Sequence, residues 1–257
     1  MSHTLADFEA KVLELAGRRA EQAEVYAVES TDTPVTFEAN RLKQLRTHQS
    51  RGVALRVIAN GRVGLATTTL LESPEDLVND ALDTTKFGSE VTYILPDRTP
   101  ECSLATFDRA TEALSIEQMV EFGQRMIDRA RADNDALLCE AELDRQVAHV
   151  RLSNSRGLSG SYRQTAFSAS FGVNLIRGTD MLDVWESHVT GRLDFDPDRL
   201  VDGVLHKVRL AERTAAVPTA QLPVIFSPKG MAYTLLDSLA SGFNGKNVLE
   251  GASPVGD

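Results

Sequence analysis

The sequence predicts an α+β protein, with two helix-flanked, mainly antiparallel β regions followed by the start of a β-rich C-terminal domain. Strand-like segments follow one another instead of alternating with helices, which favours antiparallel pairing. The dipeptide Asn60-Gly61 separates two such segments and is typical of a tight hairpin turn. The order helix, strands, helix occurs twice, and 257 residues suffice for one large domain or two modest ones.

The first half, residues 1–95, reads as a helix, a group of strands and a second helix. Residues Leu5–Ala20 place their apolar side chains at helical spacing. The predicted strands are Glu24–Ser30, Thr33–Glu38, Leu45–His48, Val53–Ile58 and Arg62–Thr69. The segment Ser73-Pro74-Glu75 predicts a helix to about Lys86, because serine is a good N-cap and proline suits the first turn.

The second half begins after a connector at residues 96–114 and forms another α+β region over residues 115–211. Ser115 and Gln118 have the spacing of a capping box, which predicts a helix that continues at a 3.6-residue period to Ala130. Asp196-Pro197 predicts the start of a final helix. The predicted strands are Leu138–Asp144, Val147–Ser153, Ser161–Ile176 and Met181–Leu193.

The last part of the sequence reads as a linker at residues 212–221 and an incomplete C-terminal domain at residues 222–257. This domain begins with the apolar run Leu222–Phe226, which predicts a strand. The stretch Ser227–Asn247 then predicts a helix that ends in a glycine-rich turn.

Composition argues against several functional classes. A net charge of −10 should repel nucleic acid and anionic membranes, and the densest basic segment, Arg41–Arg56, is better explained by alternating polar positions on a strand. No apolar run approaches the roughly 20 residues needed to cross a bilayer, and the N-terminus does not read as a signal peptide. Cys102 and Cys139 form neither a disulfide framework nor a metal-ligand spacing. We expect a cytoplasmic protein that contacts neither nucleic acid nor membrane.

Three functional motifs are nearly present. Gly157–Ser161 resembles a nucleophile elbow but ends in serine where glycine is required, and it lies between strands. Ala240–Asn247 approximates a phosphate-binding loop but follows a helix, whose C-terminus presents carbonyls instead of amides. His188 lies on a predicted strand, where a structural role is commoner than a catalytic one. No two of the histidines, at positions 3, 48, 149, 188 and 206, share a helical turn, so these residues predict no catalytic set.

Three segments, in this order, resemble the TldD/PmbA family. Leu42–Thr69 is similar to a signature in which a Gly-Val-x-x-Arg-Val strand, a turn and a Gly-x-Ala strand follow one another. Leu152–Trp185 is similar to a second region with an Asn-Ser-x-Gly turn and a long serine-rich strand. Leu222–Asp257 resembles the beginning of the family's C-terminal domain. The resemblance covers most of the chain and implies that the sequence stops early in that domain.

The family pairs a zinc metallopeptidase subunit, TldD, with a partner called PmbA or TldE. In TldD the first helix of the C-terminal domain carries His-Glu-x-x-x-His, whose histidines bind zinc and whose glutamate serves as base. When this motif is aligned on the glycine-rich turn at Gly242 and Gly245, Leu236 and Ser241 occupy the histidine positions and Asp237 the glutamate position. A shift of one residue brings no histidine there either. The resemblance therefore implies the partner type, which lacks the zinc motif.

By this resemblance, we expect a PmbA/TldE-like non-catalytic subunit of a cytoplasmic metallopeptidase complex that degrades or processes peptides and unfolded segments. No cofactor is expected in this chain, and zinc is expected in a TldD-like partner. The chain is expected to form either a heterodimer with that partner or a homodimer. The family is also called a modulator of DNA gyrase, although the acidic charge gives no support to direct DNA contact. The alternatives are an active metallopeptidase with substituted ligands and a stand-alone homodimeric binding or scaffold protein.

The resemblance implies no catalytic and no metal-binding residue in this chain. The candidates for a cleft or subunit contact are the polar residues Asp237, Ser241 and Asn244 at the end of the aligned helix. The alternative interpretation is that these three residues are only the solvent-exposed face of the helix and its cap.

Overall fold

The computed structural model describes residues 4–99, 104–213 and 215–254, in two compact units at residues 1–213 and 214–257. The strands of the first unit are β1 Gln22–Glu38, β2 Arg41–Leu45, β3 His48–Ala59, β4 Arg62–Thr68, β5 Leu138–Asn154, β6 Ser159–Arg177 and β7 Asp180–Thr190. Its α-helices are α1 Leu5–Gly17, α2 Pro74–Thr84, α3 Arg109–Ala113, α4 Ile116–Asp133 and α5 Pro197–Leu210.

All the strands of the first unit join one seven-stranded antiparallel sheet in the order β4-β3-β1-β5-β6-β7, and β2 also pairs with β1. The sheet and its flanking helices confirm the α+β class. The long pairing of β1 with β5, from Glu24 opposite Asn154 to Phe37 opposite Ala141, joins the two β regions of the sequence into one sheet.

Two expected strand breaks are absent. Glu24–Ser30 and Thr33–Glu38 are parts of the single strand β1, because Thr31 and Asp32 keep their partners on β5. The two segments expected within β5 are also continuous. Polar side chains interrupt the apolar pattern there, but they do not interrupt the backbone ladder that defines a strand.

The break between β2 and β3 lies where the sequence predicted the strand Leu45–His48, so that prediction was wrong. Opposite the break is Pro34 of β1, which has no N–H to donate to a neighbouring strand. The pairing on this side of β1 stops at Asp32 and resumes at Val35. Across the gap Arg46 N donates to the carbonyl of Pro34 at 3.3 Å.

The helices cover one face of the sheet and bury two hydrophobic cores against it. Alternate side chains of each strand point to this covered face, as the period of two requires. The first core lies under α1 and α2 and includes Phe8, Val12, Val25, Leu55, Val57, Leu77 and Val78. The second lies under α4 and α5 and includes Phe37, Met119, Met126, Leu143, Phe167, Phe171, Val201 and Val204. The repeated helix–strands–helix order of the sequence therefore corresponds to two cores under one sheet.

The local signals read from the sequence form as expected. Asn60 and Gly61 both adopt positive φ, 51° and 66°, as a two-residue hairpin requires. Ser115 and Gln118 make the reciprocal capping box at the start of α4. Asp196 caps α5 by accepting from Asp198 N at 3.0 Å.

Within residues 215–254, the regular structure of the second unit consists of short helices. It contains α6 Pro228–Met231, a π-helical turn at Ala232–Leu236, α7 Asp237–Gly242 and α8 Gly245–Leu249. The predicted strand Leu222–Phe226 is not formed, and Ile225 is 96% exposed. A strand needs a neighbour to satisfy its backbone groups, and residues 215–254 supply no pairing partner. No helix within the described ranges is long and apolar enough to cross a membrane.

Candidate functional site

The three candidate residues of the second unit are exposed: Asp237 begins α7, Ser241 lies in its last turn, and Asn244 follows it. Asn247 Nδ2 donates to the backbone oxygen of Ser241 at 2.9 Å and to its hydroxyl oxygen at 3.3 Å. Asn244 Oδ1 accepts from Lys246 N at 2.9 Å and caps α8. Asp237 is the first residue of α7, directly after the π-helical turn. Ser241 and Asn244 thus stabilise the turn between two helices, and a cleft or subunit contact for the three residues stays a prediction.

The surroundings of the Cys139 thiol and the His188 imidazole in the first unit indicate structural roles. Cys139 is wholly buried, and burial raises the pKa of its thiol to about 11, so the reactive thiolate is scarce at neutral pH. Cys102 lies outside the described residues. His188 Nε2 lies 3.3 Å from Asp194 Oδ1, and its ring lies 5.8 Å from that of Phe195. Among the described residues, no three or more His, Cys, Asp or Glu side chains are grouped so that they could hold a metal ion.

A feature that sequence reasoning missed lies on the open face of the sheet, opposite the helices. On β6 the residues Phe167, Ala169, Phe171 and Val173 point into the second core. Alternate residues between them, Ser168, Ser170 and Gly172, are small, and Ser170 and Gly172 form the floor of a hollow of about 300 Å³. We name this hollow the acidic trough and define it by Glu140 and Glu142 of β5, Ser170 and Gly172 of β6, and Asp183 and Trp185 of β7.

Strand register places the walls of the acidic trough on either side of its floor. Glu140 lies opposite Gly172, which lies opposite Trp185 on β7. Glu142, two residues further along β5, lies opposite Ser170 of β6. A serine-rich strand was visible in the sequence, but its neighbours were not, because they depend on the register of three strands.

The charge of this face is negative beyond the trough itself. Burial raises the pKa of Asp144, and the nearby carboxylates of Asp32 and, to a smaller extent, Glu142 raise it further. Gln146 Nε2 donates to Asp32 Oδ1 at 2.6 Å, which holds that carboxylate in place. On the open face Asp32 of β1 and Asp144 of β5 therefore lie near Glu142 at the edge of the trough.

Comparison with known proteins identifies relatives of this fold. Residues 23–84 match the family described as PmbA/TldA metallopeptidase domain 1. An uncharacterized protein of Methanocaldococcus jannaschii is 23% identical over 238 residues, which are 93% of this chain and 55% of that protein.

Two solved structures share the fold at low sequence identity. TldE from Thermococcus kodakarensis has a TM-score of 0.84 and 18% identity, over 97% of this chain and 58% of the other. A candidate modulator of a DNA gyrase from Thermotoga maritima has a TM-score of 0.83 and 16% identity, over 98% and 58%. The chain thus spans little more than half the length of these relatives.

The fold is of the α+β class, and residues 23–84 are similar to the first domain of the PmbA/TldA metallopeptidases. The matched segment and the shared fold support the resemblance to the TldD/PmbA family that the sequence indicated.

Proposed function

We propose that this chain is the non-catalytic subunit of a TldD/TldE-type zinc metallopeptidase complex. The observation that carries the proposal is the set of residues at the helix positions aligned with the zinc motif. Leu236 and Ser241 stand at the histidine positions, and Asp237 stands at the position of the glutamate base. The likeness of the fold to TldE of Thermococcus kodakarensis supports the same assignment.

The chemistry of zinc hydrolysis explains why these substitutions matter. A catalytic zinc site uses protein ligands with nitrogen, sulfur or oxygen donors and keeps one open position for water. Leucine has no donor atom, and the hydroxyl of Ser241 already accepts a hydrogen bond from Asn247. Bond cleavage is therefore assigned to a TldD-like partner that holds the zinc, whereas this chain contributes surface for the peptide and for the partner. Both subunits are proposed to act in the cytoplasm on peptides and unfolded segments.

Co-purification tests this assignment. The full-length protein is expressed with the TldD-like protein of the same organism, and a tag on one subunit is used to isolate the pair at micromolar concentration. We expect a heterodimer that retains zinc after dialysis against a chelator. Zinc should be lost when the partner's motif histidines are replaced and kept when Asp237 and Ser241 of this chain are replaced by alanine. Failure to associate, or zinc held by this chain alone, would contradict the proposal.

A further inference from the structure

We propose that the outer edge of β2 binds an extended polypeptide segment in which acidic and apolar residues alternate, and that this segment pairs with β2 as an additional strand. We name this edge the basic edge and define it by residues 41–46. The inference goes beyond the zinc assignment and does not depend on a zinc-bearing partner. Its test uses this chain alone, so either proposal can fail while the other holds.

The backbone of the basic edge has no neighbouring strand on its outer side. β2 pairs with β1 only, and the pairing of β3 with β4 begins at Val53, beyond β2. Within the described residues, no hydrogen bond reaches the backbone of Arg41–Leu45 from the side away from β1. A row of unpaired N–H and C=O groups of this kind is a template for a further strand.

Other edges of the same sheet are covered by groups of this chain. On β4, Leu65 N donates to the hydroxyl of Thr84 at 2.9 Å. On the first part of β6, which β7 does not reach, Thr165 N donates to the carbonyl of Thr106 at 2.9 Å. The unpaired backbone of β2 is therefore a local feature and not a general property of the margins of the sheet.

The charge of the basic edge is opposite to that of the whole protein. Residues 41–51 contain four arginine or lysine residues and no aspartate or glutamate, although the net charge of the chain is −10. Lys43 pairs with Glu38, whereas Arg41 and Arg46 are exposed and make no ion pair with the described residues. An acidic segment is therefore attracted to this edge. Pairing of two copies of this chain through β2 would place the same cations against each other, which disfavours that arrangement.

The apolar side chains of the basic edge lie on the covered face of the sheet. Leu42 and Leu45 lie opposite Phe37 and Val35 of β1, which point into the second core. Lys43 is the extra residue of a bulge, so the two leucines share one face although they are three residues apart. They continue the covered face to the rim of the sheet, where they are 42% and 44% exposed.

The cations of the basic edge lie on the open face. Arg41 precedes Leu42 and Arg46 follows Leu45, so the alternation of a strand turns both arginines away from the leucines. An added strand satisfies both faces when its apolar side chains cover the leucines and its acidic side chains face the arginines. The register of β2 thus selects a segment in which the two kinds of residue alternate.

Peptide binding tests the proposal. The probe is a blocked, fluorescein-labelled heptapeptide in which glutamate alternates with valine, and its fluorescence anisotropy is measured with the full chain of 257 residues. One control peptide has the same composition with its glutamates consecutive, and another has lysine in place of glutamate. We expect saturable binding of the alternating peptide, binding about tenfold weaker with the consecutive one, and none with the lysine peptide.

N-methylation of the probe tests pairing through the backbone. Methyl groups on alternate nitrogens remove the donors that point to one side of an extended strand and leave those on the other side. Methylation of one set, either the valines or the glutamates, should abolish binding. Methylation of the other set, whose nitrogens point to solvent, should change the affinity less than about twofold. Attraction by charge alone would not distinguish the two sets.

Matched variants locate the binding at the basic edge. The double substitution Arg41→Gln and Arg46→Gln should weaken binding of the alternating peptide about tenfold. Arg109→Gln with Arg199→Gln removes the same charge from exposed positions of α3 and α5, which pack on β5, β6 and β7, and should change the affinity less than about twofold. Circular dichroism confirms that both variants are folded.

Four results would overturn the proposal. The first is the absence of a saturable anisotropy change with the alternating peptide. The second is equal weakening by the two double substitutions, which would indicate diffuse attraction by surface charge. The third is equal binding of the alternating and consecutive peptides. The fourth is an equal effect of the two sets of N-methyl groups, because strand pairing uses one side of the peptide only.

Discussion

Arg145 of β5 donates from Nη2 to the hydroxyl of Thr33, its partner on β1, at 3.1 Å. Thr33 is wholly buried. The same guanidinium donates from Nη1 to the carbonyl of Glu112 at 3.2 Å and to that of Leu114. One side chain thus ties the end of α3 to the two central strands, and it does so on the covered face near the second core.

Replacement of Arg145 by methionine should lower the free energy of unfolding by about 2–4 kcal/mol, because the hydroxyl of Thr33 and the two carbonyls lose their donor. Urea denaturation followed by circular dichroism measures the change. Arg199→Met removes an exposed arginine of α5 and should change the free energy by less than about 0.5 kcal/mol. Equal losses in the two variants would show that Arg145 does not tie α3 to the sheet.

Gly64 of β4 lies close against the C-terminal part of α2. A Cβ atom there would lie 2.1 Å from the carbonyl oxygen of Ala81 and 2.6 Å from Thr85 Cγ2. Gly64→Ala should therefore lower the free energy of unfolding by at least about 2 kcal/mol, since backbone must move to admit the methyl group.

The control for this substitution is Gly52→Ala in β3 of the same sheet. A Cβ atom at Gly52 would lie 3.7 Å from the carbonyl oxygen of Thr68, which is ordinary contact. Alanine should be neutral there or stabilise by up to about 1 kcal/mol, because it restricts the unfolded chain. A Gly64→Ala protein as stable as the Gly52→Ala protein would contradict the close approach.

The raised pKa of Asp144 predicts that its effect on the free energy of unfolding depends on pH. Burial and the charge of Asp32 raise its pKa in the folded protein, so ionisation of Asp144 disfavours the native state. The cost is absent below the ordinary pKa of aspartate, about 3.9, and is complete above the raised value. Asp144→Asn should therefore raise the free energy of unfolding at pH 7, and the gain should vanish as the pH falls below about 4.

Urea denaturation at a series of pH values tests this sign. Asp80→Asn on α2 reports the effect of removing one negative charge from an exposed position. The prediction fails if Asp144→Asn raises the free energy of unfolding equally at pH 7 and at low pH, or lowers it at pH 7. Either result would show that ionisation of Asp144 does not destabilise the folded protein.

Local features of the fold were predictable because they depend on neighbouring residues. The Asn60-Gly61 turn follows from backbone sterics, and the capping box of Ser115 and Gln118 follows from a spacing of three residues. The burial of one face in each helix follows from apolar periodicity. These elements, and the antiparallel class, needed no knowledge of distant contacts.

Features that depend on distant strands were not predictable in the same way. The union of both β regions depends on β1 and β5, whose paired residues Glu24 and Asn154 are far apart in sequence. The acidic trough depends on the register of β5, β6 and β7. The apolar run Leu222–Phe226 has the composition of a strand, but composition cannot supply the partner that a strand requires. The candidate residues of α7 came from the family resemblance. The hydrogen bonds from Asn247 to Ser241 depend on the turn after α7, whose geometry the sequence alone did not define.

The decisive experiment measures peptide hydrolysis by the purified full-length protein, alone and with the proposed TldD-like partner. We expect no hydrolysis by this protein alone. Hydrolysis by the pair should exceed the rate of the proposed partner by itself and disappear when the zinc motif of that partner is replaced. Hydrolysis by this protein alone, abolished by Asp237→Ala and restored by added zinc in the wild type after chelation, would contradict the proposal.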